Sequence, residues 1–336
     1  MQNNNYIQID FYKLWRYIKL TRLQKEKLKL LIFSSLPFLF GRLATFQNWK
    51  HAQVFAFDKE HKKQYQINNV PNSNAKVERN NDKSKPINKL AIVIHAFYLD
   101  VFNEIMAMII PDKDTSFKFF ITCPANLKDE IESKLKKTNS QFTIMEVDNH
   151  GRDILPFLNI LPLVFNENFE VVLKIHTKRS NHLNKENLWR TTILEELIGG
   201  DNIATAINIF EKNPHIGMIG PANNILPMSL YYGGNASTVE LLCEQMNLTK
   251  QQMSNFQFVA GSMFYARKEV LIPVLKLGLN SQDFEKEDNQ LDSTMAHAVE
   301  RIFSAGLIVS GLKLADTSSS STKINCHTTL NHPFTL

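Results

Sequence analysis

Residues 149–180 begin with Asn149-His-Gly-Arg-Asp153 and end with Leu173-Lys-Ile-His-Thr-Lys-Arg-Ser180. Between these two motifs, 154–165 is apolar over the length of a helix, and 171–175 is a short apolar run typical of a buried strand. The stretch therefore predicts a polar loop, a helix and a strand in succession. Its polar residues flank these elements at a strand end, which is where open α/β sheets bind ligands.

Strand and helix signals alternate over most of the chain. We predict strands at 90–95, 117–122, 142–147, 171–175, 216–219 and 258–266, and helices at 101–110, 127–137, 154–165, 188–198, 202–211, from 268 onward, and at 291–305. This alternation is typical of a largely parallel, Rossmann-like sheet with helices on both faces. We expect this α/β domain over 86–315, a basic helical extension and linker over 1–85, and a Ser/Thr-rich tail over 316–336.

The net charge of +5 is concentrated in residues 1–50. There, 11–33 combines apolar and basic residues at helical spacing, and the apolar run 30–40 is shorter than the roughly 20 residues that cross a bilayer. We expect residues 1–50 to bind an anionic membrane surface peripherally. The alternative is a helical pair packed on the main domain. No nucleic acid is expected as a partner, because no recognisable binding fold carries the basic residues.

The three cysteines, Cys123, Cys243 and Cys326, are far apart and form no Cys-x-x-Cys pair. We therefore expect neither a disulfide framework nor a structural zinc site. The first ten residues are polar, and no early apolar stretch precedes a small-residue cleavage site, so we expect no cleavable secretion signal and a cytoplasmic protein. The glycosylation sequons at Asn235 and Asn247 are then incidental.

The polar strand ends are similar in order to those of the nucleotide-binding half of GT-A glycosyltransferases. They are His95-Ala-Phe-Tyr98, Thr122-Cys-Pro124, Asn149-x-Gly-x-Asp153 and Lys174-x-His176. In GT-A enzymes the last of these positions is usually Asp-x-Asp, which clamps a divalent cation on the donor diphosphate. A lysine and a histidine cannot do this together, although Lys174 could neutralise a diphosphate directly and His176 could hydrogen-bond phosphate or serve as a single metal ligand. The sequence therefore assigns no definite cofactor, and a divalent cation, Mg or Mn, is the candidate.

Six ordered motifs, spanning most of 89–312, resemble the rhamnan synthesis protein F family of bacterial glycosyltransferases. They are Asn149-His-Gly-Arg-Asp-Ile-Leu-Pro-Phe157, Leu173-Lys-Ile-His-Thr-Lys-Arg-Ser180, Trp189-Arg190, Ile216-Gly-Met-Ile-Gly-Pro221, Ala260-Gly-Ser-Met-Phe-Tyr265 and Glu287-Asp-Asn-Gln-Leu-Asp-Ser-Thr-Met-Ala-His-Ala-Val-Glu-Arg301. One departure is Asp292-Ser293-Thr294, where the family generally has Asp-Gly-Thr.

The resemblance implies a GT-A-like hexosyltransferase. It would transfer rhamnose, or a hexofuranose such as galactofuranose, from a nucleotide-diphosphate sugar to a growing surface polysaccharide, such as O-antigen or capsule, or to a lipid-linked glycan. The protein would act at the inner face of the bacterial cytoplasmic membrane. The alternative is a non-catalytic glycan-binding or assembly protein of a polysaccharide synthesis complex. The absence of the Asp-x-Asp motif is the reason for considering this alternative.

The resemblance and the strand-end positions together assign candidate residues to the donor and to the sugar. Donor-binding candidates are His95, Asn149, Gly151, Arg152, Asp153, Lys174, His176, Lys178 and Arg190. Two of these have structural alternatives: Asp153 could cap the following helix, and Arg152 could pair with Asp153. Gly261, Ser262 and Trp189 are candidates for the acceptor or sugar pocket, with tight packing as the alternative for the first two and a core position for Trp189.

Four carboxylates lie within eight residues, at Glu285, Glu287, Asp288 and Asp292. GT-A enzymes often place a catalytic base just before the helix that follows, so the resemblance implies a base in this stretch. An inverting transferase needs one group to take the proton of the acceptor hydroxyl as the diphosphate departs. Glu287 is the first candidate and Asp292 the second, with a helix cap as the alternative for Asp292. Glu300 and Arg301 are predicted to form a structural ion pair.

Overall fold

The computed structural model describes residues 90–109, 117–138, 140–177, 184–249, 252–253, 256–288, 290 and 292–327. All of them belong to the larger of two compact units into which the chain divides, Asn48–Leu336. The predicted basic extension 1–85 and the candidate residue Lys178 lie outside the described residues, and the predicted domain boundaries stay predictions.

In the described residues, nine strands form two sheets. They are β1 (Leu90–His95), β2 (Phe117–Cys123), β3 (Phe142–Glu146), β4 (Val171–His176), β5 (Ile216–Gly220), β6 (Ile225–Pro227), β7 (Gln257–Val259), β8 (Phe264–Arg267) and β9 (Lys313–Asp316). The main sheet has the order β3-β2-β1-β4-β8-β5-β9, and β6 pairs with β7 separately. In the main sheet β8 is antiparallel to both neighbours and all other pairs are parallel.

Helices cover both faces of the main sheet. They are α1 (Leu99–Met108), α2 (Lys128–Lys137), α3 (Ile154–Asn166), α4 (Asn184–Ile198), α5 (Asn202–Lys212), α6 (Met228–Tyr231), α7 (Ala236–Gln245), α8 (Lys268–Leu275), α9 (Met295–Ile302) and α10 (Ala305–Ser310). Alternate residues of β1 point to opposite faces: Ala91 and Val93 join a core with α3 and α7–α10, whereas Leu90, Ile92 and Ile94 join a core with α1, α2, α4 and α5. The predicted architecture, a mostly parallel sheet flanked by helices, is confirmed.

Two of the predicted elements differ from the structure. The strand predicted over 258–266 is two strands in different sheets, because Gly261 (φ +91°) and Ser262 (φ +58°) adopt left-handed backbone that interrupts an extended chain. The helix predicted over 291–305 begins only at Met295, because Thr294 caps it. Beyond β9, the chain folds back on the sheet edge, where Ala315 bridges to Cys326.

The described helices include none that is both long enough and apolar enough to span a bilayer. The longest of them, α4, has 15 residues.

Candidate functional site

Four chain segments meet at the carboxyl ends of β1 and β4. The two strands are parallel and in register, so that His95 lies beside His176. The loop before α3 brings Gly151, Arg152 and Asp153 to the same edge. Because β8 runs in the opposite direction, its first residues pair with the end of β4, and the turn at residues 261–262 also lies at this edge.

Lys174 is the buried centre of this edge, with only 1% of its surface exposed. Its Nζ lies 2.5 Å from Asp153 Oδ2, 2.8 Å from the Ser262 carbonyl oxygen and 2.6 Å from Ser262 Oγ. These three acceptors match the three hydrogens of an ammonium group, and the Phe157 ring lies 5.2 Å away. Burial lowers the pKa of Lys174, while the Asp153 carboxylate opposes this effect. The buried charge therefore has the partner it requires.

Asp153 occupies the position before α3, but its side chain makes no capping hydrogen bond to the helix. The capping alternative is therefore wrong. The reason is the buried ammonium of Lys174, which binds the carboxylate more strongly than an uncharged backbone N–H group would.

Two histidines flank the Asp153–Lys174 pair. His176 is 2% exposed, and its Nε2 donates to the Gly261 carbonyl oxygen at 2.9 Å and lies 3.8 Å from Asp153 Oδ2. His95 Nδ1 lies 3.0 Å from Thr122 Oγ1. Burial lowers the pKa of His95 to about 4, although the Asp153 carboxylate acts in the opposite direction. His95 is therefore neutral at neutral pH.

The loop before α3 requires a glycine at position 151. Gly151 has φ +65°, and a Cβ there would lie 2.5 Å from Leu155 Cβ and 3.0 Å from Phe284. Asn149, the first residue of the motif, is exposed. The turn places the next residue, Arg152, with its side chain toward the acidic loop at residues 285–294.

Arg152 connects the loop before α3 to the acidic loop. Its backbone N–H donates to Glu287 Oε1 at 3.1 Å, and its Nε lies 3.6 Å from Glu287 Oε2. Its guanidinium also donates to the carbonyl oxygen of Gln290 and, at 2.9 Å, to His297 Nε2. Since arginine can only donate, His297 Nε2 carries no hydrogen, and its Nδ1 donates to Thr294 Oγ1 at 2.7 Å.

Asp292 belongs to a polar network with Arg301, Asn235 and Gly234. Its oxygens accept from Arg301 Nη2 at 3.0 Å, from Asn235 Nδ2 at 2.5 Å and from Gly234 N at 3.1 Å. Burial raises the pKa of Asp292, but the Arg301 guanidinium and the backbone N–H of Gly234 outweigh it, so the pKa is lowered. The Asp292 capping alternative is wrong, because Thr294 occupies the cap of α9.

The predicted ion pair between Glu300 and Arg301 is also wrong. Glu300 Oε1 accepts from the backbone N–H of Gly261 at 2.7 Å, whereas Arg301 pairs with Asp292. Adjacent residues of a helix point in different directions, so the two side chains serve different loops. Glu300 thereby fixes the turn that holds Lys174 and His176.

The other acidic side chains have different surroundings. The carboxylate of Glu285 accepts from the first helical N–H of α9, at Met295, at 2.9 and 3.2 Å. Asp288 is exposed. Glu287 is the carboxylate that is both partly exposed and tied to the loop before α3, with 26% of its side chain accessible.

Trp189 borders the cluster on the side of α4. It is 37% exposed, so it is not a core residue, and a Cβ on Gly261 would lie 2.8 Å from its ring. The neighbouring Arg190 is 8% exposed and pairs with Glu104 of α1 at 3.2 Å. The structure thus brings Trp189 against the turn at 261–262 and places the Arg190 guanidinium at α1.

Sequence reasoning missed two sets of contacts. Thr177 Oγ1 accepts from the backbone N–H groups of Phe97 and Tyr98, at 2.8 and 2.9 Å, and donates to the His95 carbonyl oxygen. A lone threonine after a strand carries no signal of this role.

The second missed set of contacts is made by the segment Gly233-Gly234-Asn235, which wraps around Asp292 and Ser293. A Cβ on Gly233 would lie 2.2 Å from Asp292 Oδ2, and one on Gly234 would lie 1.9 Å from Ser293 Oγ. The signal in the sequence that could have indicated this contact is the pair of glycines directly before Asn235, the asparagine of a glycosylation sequon. Asn235 is 1% exposed, consistent with an incidental sequon.

The strand-end residues do not fit an Asp-x-Asp type of cation site. Mg and Mn prefer several oxygen ligands, carboxylates above all. The carboxylate of Asp153 is paired with the ammonium of Lys174, which stands at the first Asp position. Among the described residues, no three His, Cys, Asp or Glu side chains are grouped so that they could hold a metal ion.

Comparison with known proteins gives three findings. Residues 55–307 match the model of the family described as rhamnan synthesis protein F. Two curated relatives, each named uncharacterized protein WxcX, come from strain B100 and from a second strain of Xanthomonas campestris pv. campestris. Each is 35% identical over 220 residues, which cover 66% of this chain and 31% of the relative. The chain thus spans less than a third of the length of these relatives.

A solved structure is more distantly similar. It is a mannosyltransferase, PcManGT from Pyrobaculum calidifontis, in complex with GDP-Man and Mn2+. It is 10% identical, with a TM-score of 0.31, and the similarity covers 68% of this chain and 55% of that one. The family match extends over three quarters of the chain and includes every strand-end motif described above, so the chain belongs to the rhamnan synthesis protein F family.

Proposed function

We propose that this protein is a glycosyltransferase that transfers a sugar from a nucleotide-diphosphate sugar to a growing bacterial surface polysaccharide or lipid-linked glycan. The observation that carries the proposal is the meeting of the loop before α3, the end of β4 and the turn at 261–262 at one sheet edge, beside an acidic loop. Ligands of open α/β sheets bind at such an edge. Membership of the rhamnan synthesis protein F family supports the link to polysaccharide synthesis.

The donor would bind along the strand ends. Asp153 has 14% of its side chain exposed, and a carboxylate offers about four acceptor positions, so it can accept from a ribose or sugar hydroxyl while holding Lys174. His95 would present a neutral imidazole, and Asn149 an exposed amide, with the ring of His176 beside them. Arg152 is the described cation placed to meet the diphosphate, because its guanidinium lies at the border of the loop before α3 and the acidic loop.

The acceptor sugar would lie on the side of Trp189. The exposed part of the indole offers an apolar surface for the C–H face of a sugar. The turn at Gly261 and Ser262 lies directly against it, and small residues there leave room for a sugar close to the backbone. Rhamnose, or a hexofuranose such as galactofuranose, is the proposed transferred sugar, by the family resemblance.

Glu287 is proposed as the catalytic base. It would take the proton from the acceptor hydroxyl as the hydroxyl oxygen attacks the anomeric carbon and the nucleoside diphosphate leaves. Asp292 is less suited, because its lowered pKa and its three donors keep it ionised but occupied. The contact between Glu287 and Arg152 would hold the base next to the donor loop.

The test is turnover of a panel of nucleotide sugars by purified protein, followed as release of nucleoside diphosphate. Glu287→Gln should lower kcat by about 100-fold or more, which is the usual contribution of a general base. Asp288→Asn is the matched control, since this carboxylate is exposed one residue further along the loop, and it should keep wild-type turnover. Absence of turnover with every donor would reject the enzyme assignment in favour of a glycan-binding or assembly protein. Equal activity of the two variants would reject Glu287 as the base.

Residues 1–50 are proposed to hold the protein at the inner face of the cytoplasmic membrane. The concentration of positive charge in this segment supports the proposal, because basic amphipathic segments bind anionic headgroups. An acceptor linked to a lipid would be presented at the same surface.

A further inference from the structure

We propose that the ammonium group of Lys174 replaces the divalent cation of related sites, as a built-in cation that positions Asp153 and the turn at 261–262, so that donor binding and transfer need no divalent cation. The inference rests on the proposed function, but its main test is separate from turnover.

The first argument is that each of the three hydrogens of the Lys174 ammonium has an acceptor within the protein. Its three hydrogens go to Asp153 Oδ2, to the Ser262 carbonyl oxygen and to Ser262 Oγ. The ammonium therefore has no hydrogen left for a phosphate oxygen. Lys174 is a positioning residue, which acts on the donor through Asp153 and Ser262.

The second argument is that these contacts join three separate chain segments. Asp153 precedes α3, Lys174 lies in β4, and Ser262 precedes β8. Ser262 also has a left-handed backbone, with φ +58°, a conformation that needs support from its surroundings. A cation bound at this place would make the same connection between carboxylate and carbonyl oxygens, which are the ligands that hard cations take.

The third argument is the balance of charge. The carboxylates that act on Lys174 are those of Asp153, at 2.5 Å, and Glu300, which is bonded to Gly261 N. The other titratable groups of the cluster are His95 and His176, and His95 is neutral. A divalent cation on Asp153 would lie directly beside the ammonium, and the two positive charges would repel each other in a site with little water to screen them.

The main test compares the effect of Mn2+ on thermal unfolding of the wild type and of Lys174→Asp. The substitution removes the ammonium and places a second carboxylate beside Asp153 and His176. We expect millimolar Mn2+ to raise the unfolding temperature of Lys174→Asp by about 5 °C, as for a ligand that binds only the folded state, and to leave that of the wild type unchanged. Lys118→Asp, which alters a lysine of β2 paired with Glu167, is the control and should not respond.

Activity provides the second test. Wild-type turnover should be unchanged by EDTA and by added Mg2+ or Mn2+. Lys174→Met should lower kcat/KM by about 100-fold, the typical loss when reacting groups are misplaced by about 1 Å. The double variant Lys174→Met/Asp153→Asn, which removes the unpaired carboxylate, should regain thermal stability but not activity. A purely structural lysine would instead leave kcat/KM unchanged at temperatures where Lys174→Met stays folded.

Two results would overturn the inference. One is a rise of about 5 °C in the unfolding temperature of the wild type on addition of millimolar Mn2+. The other is wild-type turnover that EDTA abolishes and Mg2+ or Mn2+ restores. Both can be observed even if a Lys174 variant fails to fold, because each is a measurement on the wild type. Absence of turnover would reject the proposed function alone, and the Mn2+ response of the wild type would still decide the role of Lys174.

Discussion

Replacing Asp292 by Asn should destabilise the protein without removing the catalytic base. The carboxylate accepts from three donors, on Arg301, Asn235 and Gly234. An asparagine has the same shape but only one acceptor oxygen, so its amide NH2 must face either Gly234 N–H or the two side-chain donors. At least one charge-assisted hydrogen bond is lost, and the amide NH2 of the asparagine faces another hydrogen-bond donor.

The magnitude follows from these contacts. A hydrogen bond to a charged group contributes about 1.5–3 kcal/mol, and a buried donor left without an acceptor costs about 1–3 kcal/mol. Asp292 has 28% of its side chain exposed, so water offsets part of this sum, and we expect a loss of about 2–4 kcal/mol in the free energy of unfolding. For a folded unit of this size, that corresponds to a fall in Tm of about 5–10 °C.

The assay is thermal unfolding at several pH values, with Asp288→Asn as the exposed control. Because the pKa of Asp292 is lowered in the folded protein, its stabilising effect is present above the unfolded pKa of about 3.9 and is lost as the pH falls through the folded pKa. The gap between wild type and Asp292→Asn should therefore be constant from pH 7 to about 5 and shrink below about 4. Equal unfolding temperatures at pH 7, or loss of kcat at a temperature where the variant is folded, would refute the structural role of Asp292.

Three further perturbations test separate features. Ser293 has φ +70°, so Ser293→Gly should stabilise the protein by about 0.5–1 kcal/mol in thermal unfolding; a clear destabilisation would show that its side chain outweighs the backbone strain. Trp189→Ala should raise the KM for the acceptor glycan by about tenfold, equivalent to about 1.4 kcal/mol, while Leu163→Ala, which alters another exposed apolar residue, should not. Deletion of residues 1–50 should abolish co-sedimentation with anionic vesicles but leave turnover of a soluble acceptor intact; binding that persists would exclude the proposed anchor.

The sequence predicts the strand-end motifs well because their signals are local. An apolar run of strand length, a glycine loop and a helical run in 149–180 together place Asp153 and Lys174 near one sheet edge. The need of Lys174 for a partner also follows from its position in a buried strand. The identity of that partner does not, because Asp153 and Ser262 come from segments that only the tertiary fold brings together.

The failures have physical causes of the same kind. The strand predicted over 258–266 was wrong because apolar content alone does not show that Gly261 and Ser262 turn the chain. The predicted ion pair between Glu300 and Arg301 was wrong because adjacent residues of a helix point in different directions, although they are neighbours in the sequence. The Gly233-Gly234 contact with Asp292 is a long-range packing feature, and no periodicity within either segment indicates it.

Thr177 joins the two strand ends that form one side of the candidate site. Its hydroxyl ties the backbone that follows β1 to the end of β4 through three hydrogen bonds, so the two strand ends move as one body. The loop side of the site contains residues such as Glu287 and Gln290, which contact Arg152 through two hydrogen bonds and one ion pair. A donor of different size is more easily accommodated on this loop side, so attempts to change donor preference should alter residues such as Gln290, and keep the proposed base Glu287 and the strand ends intact.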